Sequence, residues 1–189
     1  MRLLFLSIAL AIGILMDFVL KNCLSGYPRF PTAMLLIAAA CIALLVAFDD
    51  PLIIAKGLLF ASMAVLVSFY DGLTHNIPNL LLLPFAAIGL INFNPAMAFT
   101  GLLAAFLPFL LVFMLTKGGI GGGDVKLMAA IGFVLGPIPT VSGALLGLTA
   151  FLPYGLVCRL HKHKSISYAM APWLSSGCFF AYLFSLIWR

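Results

Sequence analysis

Every acid in this chain is an aspartate: Asp17, Asp49, Asp50, Asp71 and Asp124. Two of them sit where chemistry could be done. Asp71 closes an apolar run in Ser68-Phe69-Tyr70-Asp71-Gly72-Leu73-Thr74-His75-Asn76-Ile77-Pro78-Asn79. Asp124 follows Gly118-Gly119-Ile120-Gly121-Gly122-Gly123 and opens Val125-Lys126-Leu127-Met128. Two carboxylates brought together in a partly dry site cannot both ionise easily, so they share a proton. One then acts as base toward a water while the protonated one polarises a carbonyl, which is aspartyl peptide hydrolysis. The glycines Gly121, Gly122 and Gly123 let backbone lie close to another helix or to an extended substrate. A helix N-terminus at Asp124, with Lys126 nearby, favours the ionised form and opposes the proton sharing expected of the pair. Each acid also has a plainer reading. Asp124 alone fits a helix cap, and Asp71 alone fits a surface loop.

Other polar residues give less. No Lys-Ser/Thr follows the glycines as a P-loop requires, which argues against a phosphate cradle. His75 reads as a loop residue, and His161 and His163 as part of a basic loop without carboxylate or thiolate company. Asp17, four residues before Lys21, is expected to form a helical ion pair that reaches toward the membrane surface. Cys23, Cys41, Cys158 and Cys178 form no C-x-x-C pair, which argues against structural zinc and for apolar packing. No metal and no cofactor is expected.

The elements that position these aspartates follow from composition. Of 189 residues, 65% are hydrophobic and 8% charged, and the mean hydropathy is +1.24. Soluble domains carry roughly 25% charged residues, so a water-soluble globule is excluded, as is a disordered chain. Apolar runs fall at about 3–20, 31–48, 52–70, 79–93, 98–116, 124–136, 138–160 and 168–188. They are continuous rather than alternating, which predicts helices and not a barrel. The expectation is an all-α, polytopic transmembrane helix bundle of roughly six to eight segments, about 20 residues being needed per span. The 124–136 run is too short to cross alone. The first run lacks a clear cleavage site and reads as a retained span. No linker divides the chain, so residues 1–189 read as a single integral membrane domain.

The charge of +5 arises in short loops rather than in a stripe, which points to lipid and away from nucleic acid. Lys21, Arg29, Lys117, Lys126, Arg159, Lys162 and Lys164 fall on one alternating set of loops, and Asp49 and Asp50 on the other. By the positive-inside bias the first set is cytoplasmic, and Asp71 and Asp124 lie with it.

With these residues assembled, the chain resembles the type IV prepilin peptidases, bacterial inner-membrane aspartyl proteases of the G-x-G-D class. Tyr70-Asp71 with Ile77-Pro78-Asn79 looks like their first signature, and Gly121-Gly122-Gly123-Asp124-Val125-Lys126-Leu127, with Gly132 and Gly136, like their second. Ile166-Ser167-Tyr168-Ala169-Met170-Ala171-Pro172-Trp173-Leu174 agrees more loosely with their C-terminal loop. The resemblance implies catalytic roles for Asp71 and Asp124, with Gly121, Gly122, Gly123, Lys126, Pro78 and Asn79 shaping the site. It implies a prepilin or pseudopilin precursor as partner, cut after a glycine between a short basic leader and a hydrophobic helix. Two-domain members carry a cysteine-bearing, zinc-binding insert with N-methyltransferase activity after the first span. Here that loop, from Lys21 to Pro31, holds only Cys23, so the chain is similar to the short peptidase-only members that process Flp (tight-adherence) pilins.

Rival readings differ in class. A presenilin or signal-peptide-peptidase-like protease shares Tyr70-Asp71 and Gly121-x-Gly123-Asp124, but its Pro-Ala-Leu motif is missing here. An archaeal preflagellin peptidase is a short relative of the same kind. A proton- or cation-coupled transporter would place its acids nearer the midplane and often show an inverted repeat, and neither is evident.

Overall fold

The computed structural model describes residues 1–28, 30–116, 120–160 and 169–187. The bases Arg29, Lys117, Lys162, Lys164 and Arg189, the histidines His161 and His163, and Ile166-Ser167-Tyr168 lie outside the described residues, as do the side chains of Cys158 and Arg159. The described residues form helices without strands. They are α1 (Arg2–Cys23), α2 (Thr32–Ala47), α3 (Pro51–Thr74), α4 (Leu83–Gly89), α5 (Pro95–Leu115), α6 (Gly122–Leu135), α7 (Pro137–Leu160) and α8 (Ala171–Ile187). A 3-10 turn over Asn79–Leu82 leads into α4. The all-α bundle expected from the apolar runs is what forms.

Among the described residues four helices are long and apolar enough to cross a membrane: α1, α3, α5 and α7. Their outward faces confirm the solvent they are built for. Leu103, Leu107 and Leu111 repeat every fourth residue on α5 and are 49%, 56% and 58% exposed, a stripe that water would penalise and acyl chains match. The protein is an integral membrane protein.

Between helices the contacts are close because side chains are missing. A Cβ on Gly132 of α6 would lie 2.3 Å from the Gly101 carbonyl oxygen of α5, and one on Gly101 would lie 2.2 Å from that of Gly132. The same device joins α7 to α8, where a Cβ on Gly143 would stand 2.4 Å from the Cα of Cys178. Small residues let helix backbones meet where lipid offers no hydrophobic drive to associate. Gly136, at φ +82°, turns the chain from α6 into the proline that starts α7. Inside, Phe60, Phe85, Leu127, Met128, Ile131 and Leu174 pack α3, α4, α6 and α8 into one core.

Two expectations need correction. The 79–93 run is not one helix; after the 3-10 turn, seven-residue α4 ends before Asn92, whose φ is +52°. The second concerns Asp17, which makes no ion pair with Lys21. Its side chain is buried, at 4% exposure. Oδ1 accepts hydrogen bonds from the Tyr27 hydroxyl and the Ala33 N–H, and Oδ2 accepts from the Met34 N–H at 3.0 Å. Asp17 therefore caps the start of α2 from α1, satisfying N–H groups that no residue of α2 can reach. Thr32 also donates to the Tyr27 hydroxyl. Burial, then the bond to Asp17, raises the Tyr27 phenol above its ordinary pKa.

Candidate active site

Asp71 projects from the last turn of α3. That helix ends at His75, whose left-handed backbone (φ +51°) closes it with an N–H to the Asp71 carbonyl at 2.8 Å. The Asp71 side chain is 7% exposed, so it is not a surface loop acid. Its Oδ2 accepts a hydrogen bond from the Ala171 N–H at 3.1 Å, at the first residue of α8. An acid on α3 thus meets the positive end of a helix a hundred residues later in the chain.

Asp124 sits in the first turn of α6, a fourteen-residue helix that is not among the four long spans. The cap position belongs to Gly121, and no side chain caps the helix. Asp124 is 7% exposed, and its Oδ1 is buried without a hydrogen-bond partner among the described residues. A buried carboxylate oxygen left unpaired is costly in a purely structural role and useful in a chemical one. Burial first, and the charge of Asp71 second, push the Asp124 carboxyl up to about 7, against the Gly121 backbone, which pulls it down. The two acids therefore stand within electrostatic reach of one another, and at neutral pH Asp124 is poised between its two forms.

The other residues singled out by the sequence gather on the same side. Gly123 packs on the loop after α3, where a Cβ would come within 3.2 Å of the Ile77 Cβ. A Cβ on Gly121 would lie 3.0 Å from the Asp124 Oδ2. Gly122 is looser, since a Cβ there would meet the Phe113 ring at an ordinary 3.9 Å. Lys126 donates to the Asn79 Oδ1 at 3.0 Å, tying α6 to the 3-10 turn that Pro78 begins. Lys126 is thereby held by a neutral amide rather than by either acid. His75 is exposed beside Asp71 and ends α3. Sequence reasoning missed the Ala171 N–H, a backbone donor, although the looser C-terminal motif brackets it.

Together these features define a class: a helical membrane protein with two buried aspartates, one on a long span and one behind a glycine loop. The type IV leader peptidase family matches residues 58–158, a stretch that includes both aspartates, the three glycines, Lys126, Pro78 and Asn79. The chain is also 33% identical, over 169 residues, to the prepilin leader peptidase/N-methyltransferase of Bacillus subtilis (strain 168), an alignment covering 82% of this chain and 66% of that relative. No solved structure matches. The chain belongs to the type IV leader peptidase family, and it spans just under two thirds of the length of that curated relative.

Proposed function

We propose that this protein is an aspartic endopeptidase that removes the leader from prepilin-like precursors, with Asp71 and Asp124 as its catalytic pair. The observation that carries the reading is the juxtaposition of two buried aspartates from α3 and α6, one with an unpartnered oxygen. The ionised member takes a proton from water as the water oxygen attacks the scissile carbonyl carbon. The protonated member donates to the carbonyl oxygen, and the tetrahedral intermediate collapses as the leaving amine gains a proton. Gly121 and Gly123 keep the approach to Asp124 low, and Lys126 with Asn79 and Pro78 fixes the loop beside it. The similarity to the Bacillus subtilis prepilin leader peptidase/N-methyltransferase supports a prepilin leader as substrate.

The finer reading is a Flp-pilin or pseudopilin precursor, cut at the cytoplasmic face of the inner membrane. Basic loops on the side of Asp71 and Asp124 support that orientation. The eight residues joining α1 to α2 are too few for a zinc-binding methyltransferase domain, which favours a single peptidase domain. The test is to incubate the purified chain with a prepilin in detergent and map products by mass spectrometry. One cut after the leader glycine, lost in Asp71→Asn and Asp124→Asn, is expected. An uncut prepilin, or cleavage that survives both substitutions, refutes the reading.

A further inference from the structure

A second concave region lies at the other end of the bundle. A cavity of about 630 Å³ is lined by the N-terminal turns of α3, the C-terminal turn of α6 and the starts of α5 and α7. Asp71 and Asp124 occupy the opposite ends of α3 and α6, so this cavity belongs to the other face. Lys56, which lines it, lies about 22 Å along α3 from Asp71 at the helical rise of 1.5 Å per residue.

Lys56 is half-buried among apolar helices, and among the described residues no carboxylate pairs with it. The acids on this face have other partners: Asp49 pairs with Arg2 at 2.6 Å, and Asp50 accepts from the Leu52 N–H at 2.8 Å. A cation held at the edge of a bilayer without a counter-ion marks a functional site. Asn92 and Asn94 add amides to the wall. The helices α5 and α7 point their N-termini at this face, and their dipoles add to the positive field, while the N-terminus of α3 is already capped by Asp50. The rim is apolar, with Leu52 62% and Ile138 75% exposed.

We propose that this cavity binds a phosphate-bearing anion through Lys56, with the headgroup of an anionic phospholipid as the source the rim favours. The phosphate would sit against the ammonium and the amides, and the acyl chains would run down past Leu52 and Ile138. The size suits a headgroup, since ligand sites run from roughly 300 to 1,000 Å³.

The test uses the full chain in neutral detergent, with native mass spectrometry and thermal melting. Its probes are phosphatidylglycerol, phosphatidylcholine and inorganic phosphate. Saturable binding of phosphatidylglycerol over phosphatidylcholine is expected, weakened about tenfold or more in Lys56→Gln and recovered in Lys56→Arg. Lys56-dependent binding of inorganic phosphate with equal stabilisation keeps the site and assigns it to the free anion. Should Lys56→Gln fail to fold, Asn92→Asp carries the test, because Asn92 is exposed and the change sets a negative charge at the mouth. Binding that is absent, or that neither substitution weakens, overturns the proposal.

Discussion

Replacing Asp17 by alanine separates a structural acid from the proposed catalytic pair. The side chain accepts from the Ala33 N–H at 3.2 Å, from the Met34 N–H at 3.0 Å and from the Tyr27 hydroxyl. Ala33 is fully buried. Its N–H retains the Tyr27 oxygen at 3.1 Å as an alternative acceptor, whereas Met34 has no second one among the described residues. Losing a helix cap costs about 1 kcal/mol, and leaving a charge-assisted bond unmade in a buried setting adds about 2 kcal/mol. The total of about 3 kcal/mol corresponds to a melting temperature lower by roughly 6–12 °C for a chain of this size. Asp17→Asn keeps one acceptor oxygen and should lose about half as much. The assay is thermal melting in detergent, paired with prepilin cleavage per folded molecule at a temperature where both variants stay folded. Melting within a degree of the native protein would refute the capping account. Loss of cleavage equal to that of Asp71→Asn, with melting unchanged, would make Asp17 a third chemical acid.

The remaining predictions follow from the two buried acids and the glycines. Asp71→Asn and Asp124→Asn should each abolish turnover while leaving the protein inserted and cooperatively folded, as cleavage and melting assays will read. Asp124 binds its proton more tightly folded, at about 7, than unfolded, at 3.8. Its contribution to stability is therefore complete below about pH 4 and lost as pH rises through 7. Melting temperature should fall over that window, and Asp124→Asn should flatten the slope. Gly123→Val presses on Ile77 and should lower cleavage more than stability, whereas Gly122→Ala should be tolerated and Gly132→Ala should cost the most stability, its Cβ meeting the Gly101 carbonyl at 2.3 Å. In a cysteine-free background, Asn76→Cys should resist an impermeant thiol reagent in intact cells and Asp49→Cys should react. The reverse pattern puts the aspartates outside and ends the cytoplasmic reading.

Helix positions were legible because each apolar run is long and bounded by proline, glycine or asparagine. The 31–48 run becomes Thr32–Ala47, and the 52–70 run becomes Pro51–Thr74. Asp71 and Asp124 were legible as a pair for a similar reason: an acid at the edge of an apolar run is rare enough to notice. What stayed hidden depends on backbone. Asp17 has Lys21 one turn away, so a local pairing rule assigns it there, while its real partners are N–H groups of Ala33 and Met34. Every non-proline residue carries that donor, so no letter of the sequence marks it. The Ala171 donor was hidden in the same way. The run at 79–93 misled because hydropathy records burial and not continuity, and it does not register the left-handed turn at Asn92.

The hydrogen bond between Asp71 and Ala171 also orders events in time. A chain inserted from its N-terminus delivers Asp71 with α3 and Asp124 with α6, long before the first residue of α8 exists. Until α8 arrives, the Asp71 Oδ2 lacks the donor that holds it in the finished protein. Both acids are then present, yet the site is incomplete. A nascent chain halted before Ala171 would carry the full pair of aspartates without their final alignment, so completion of the site waits on the seating of α8. The proposed peptide-cutting chemistry would in this way start only when α8 has been seated.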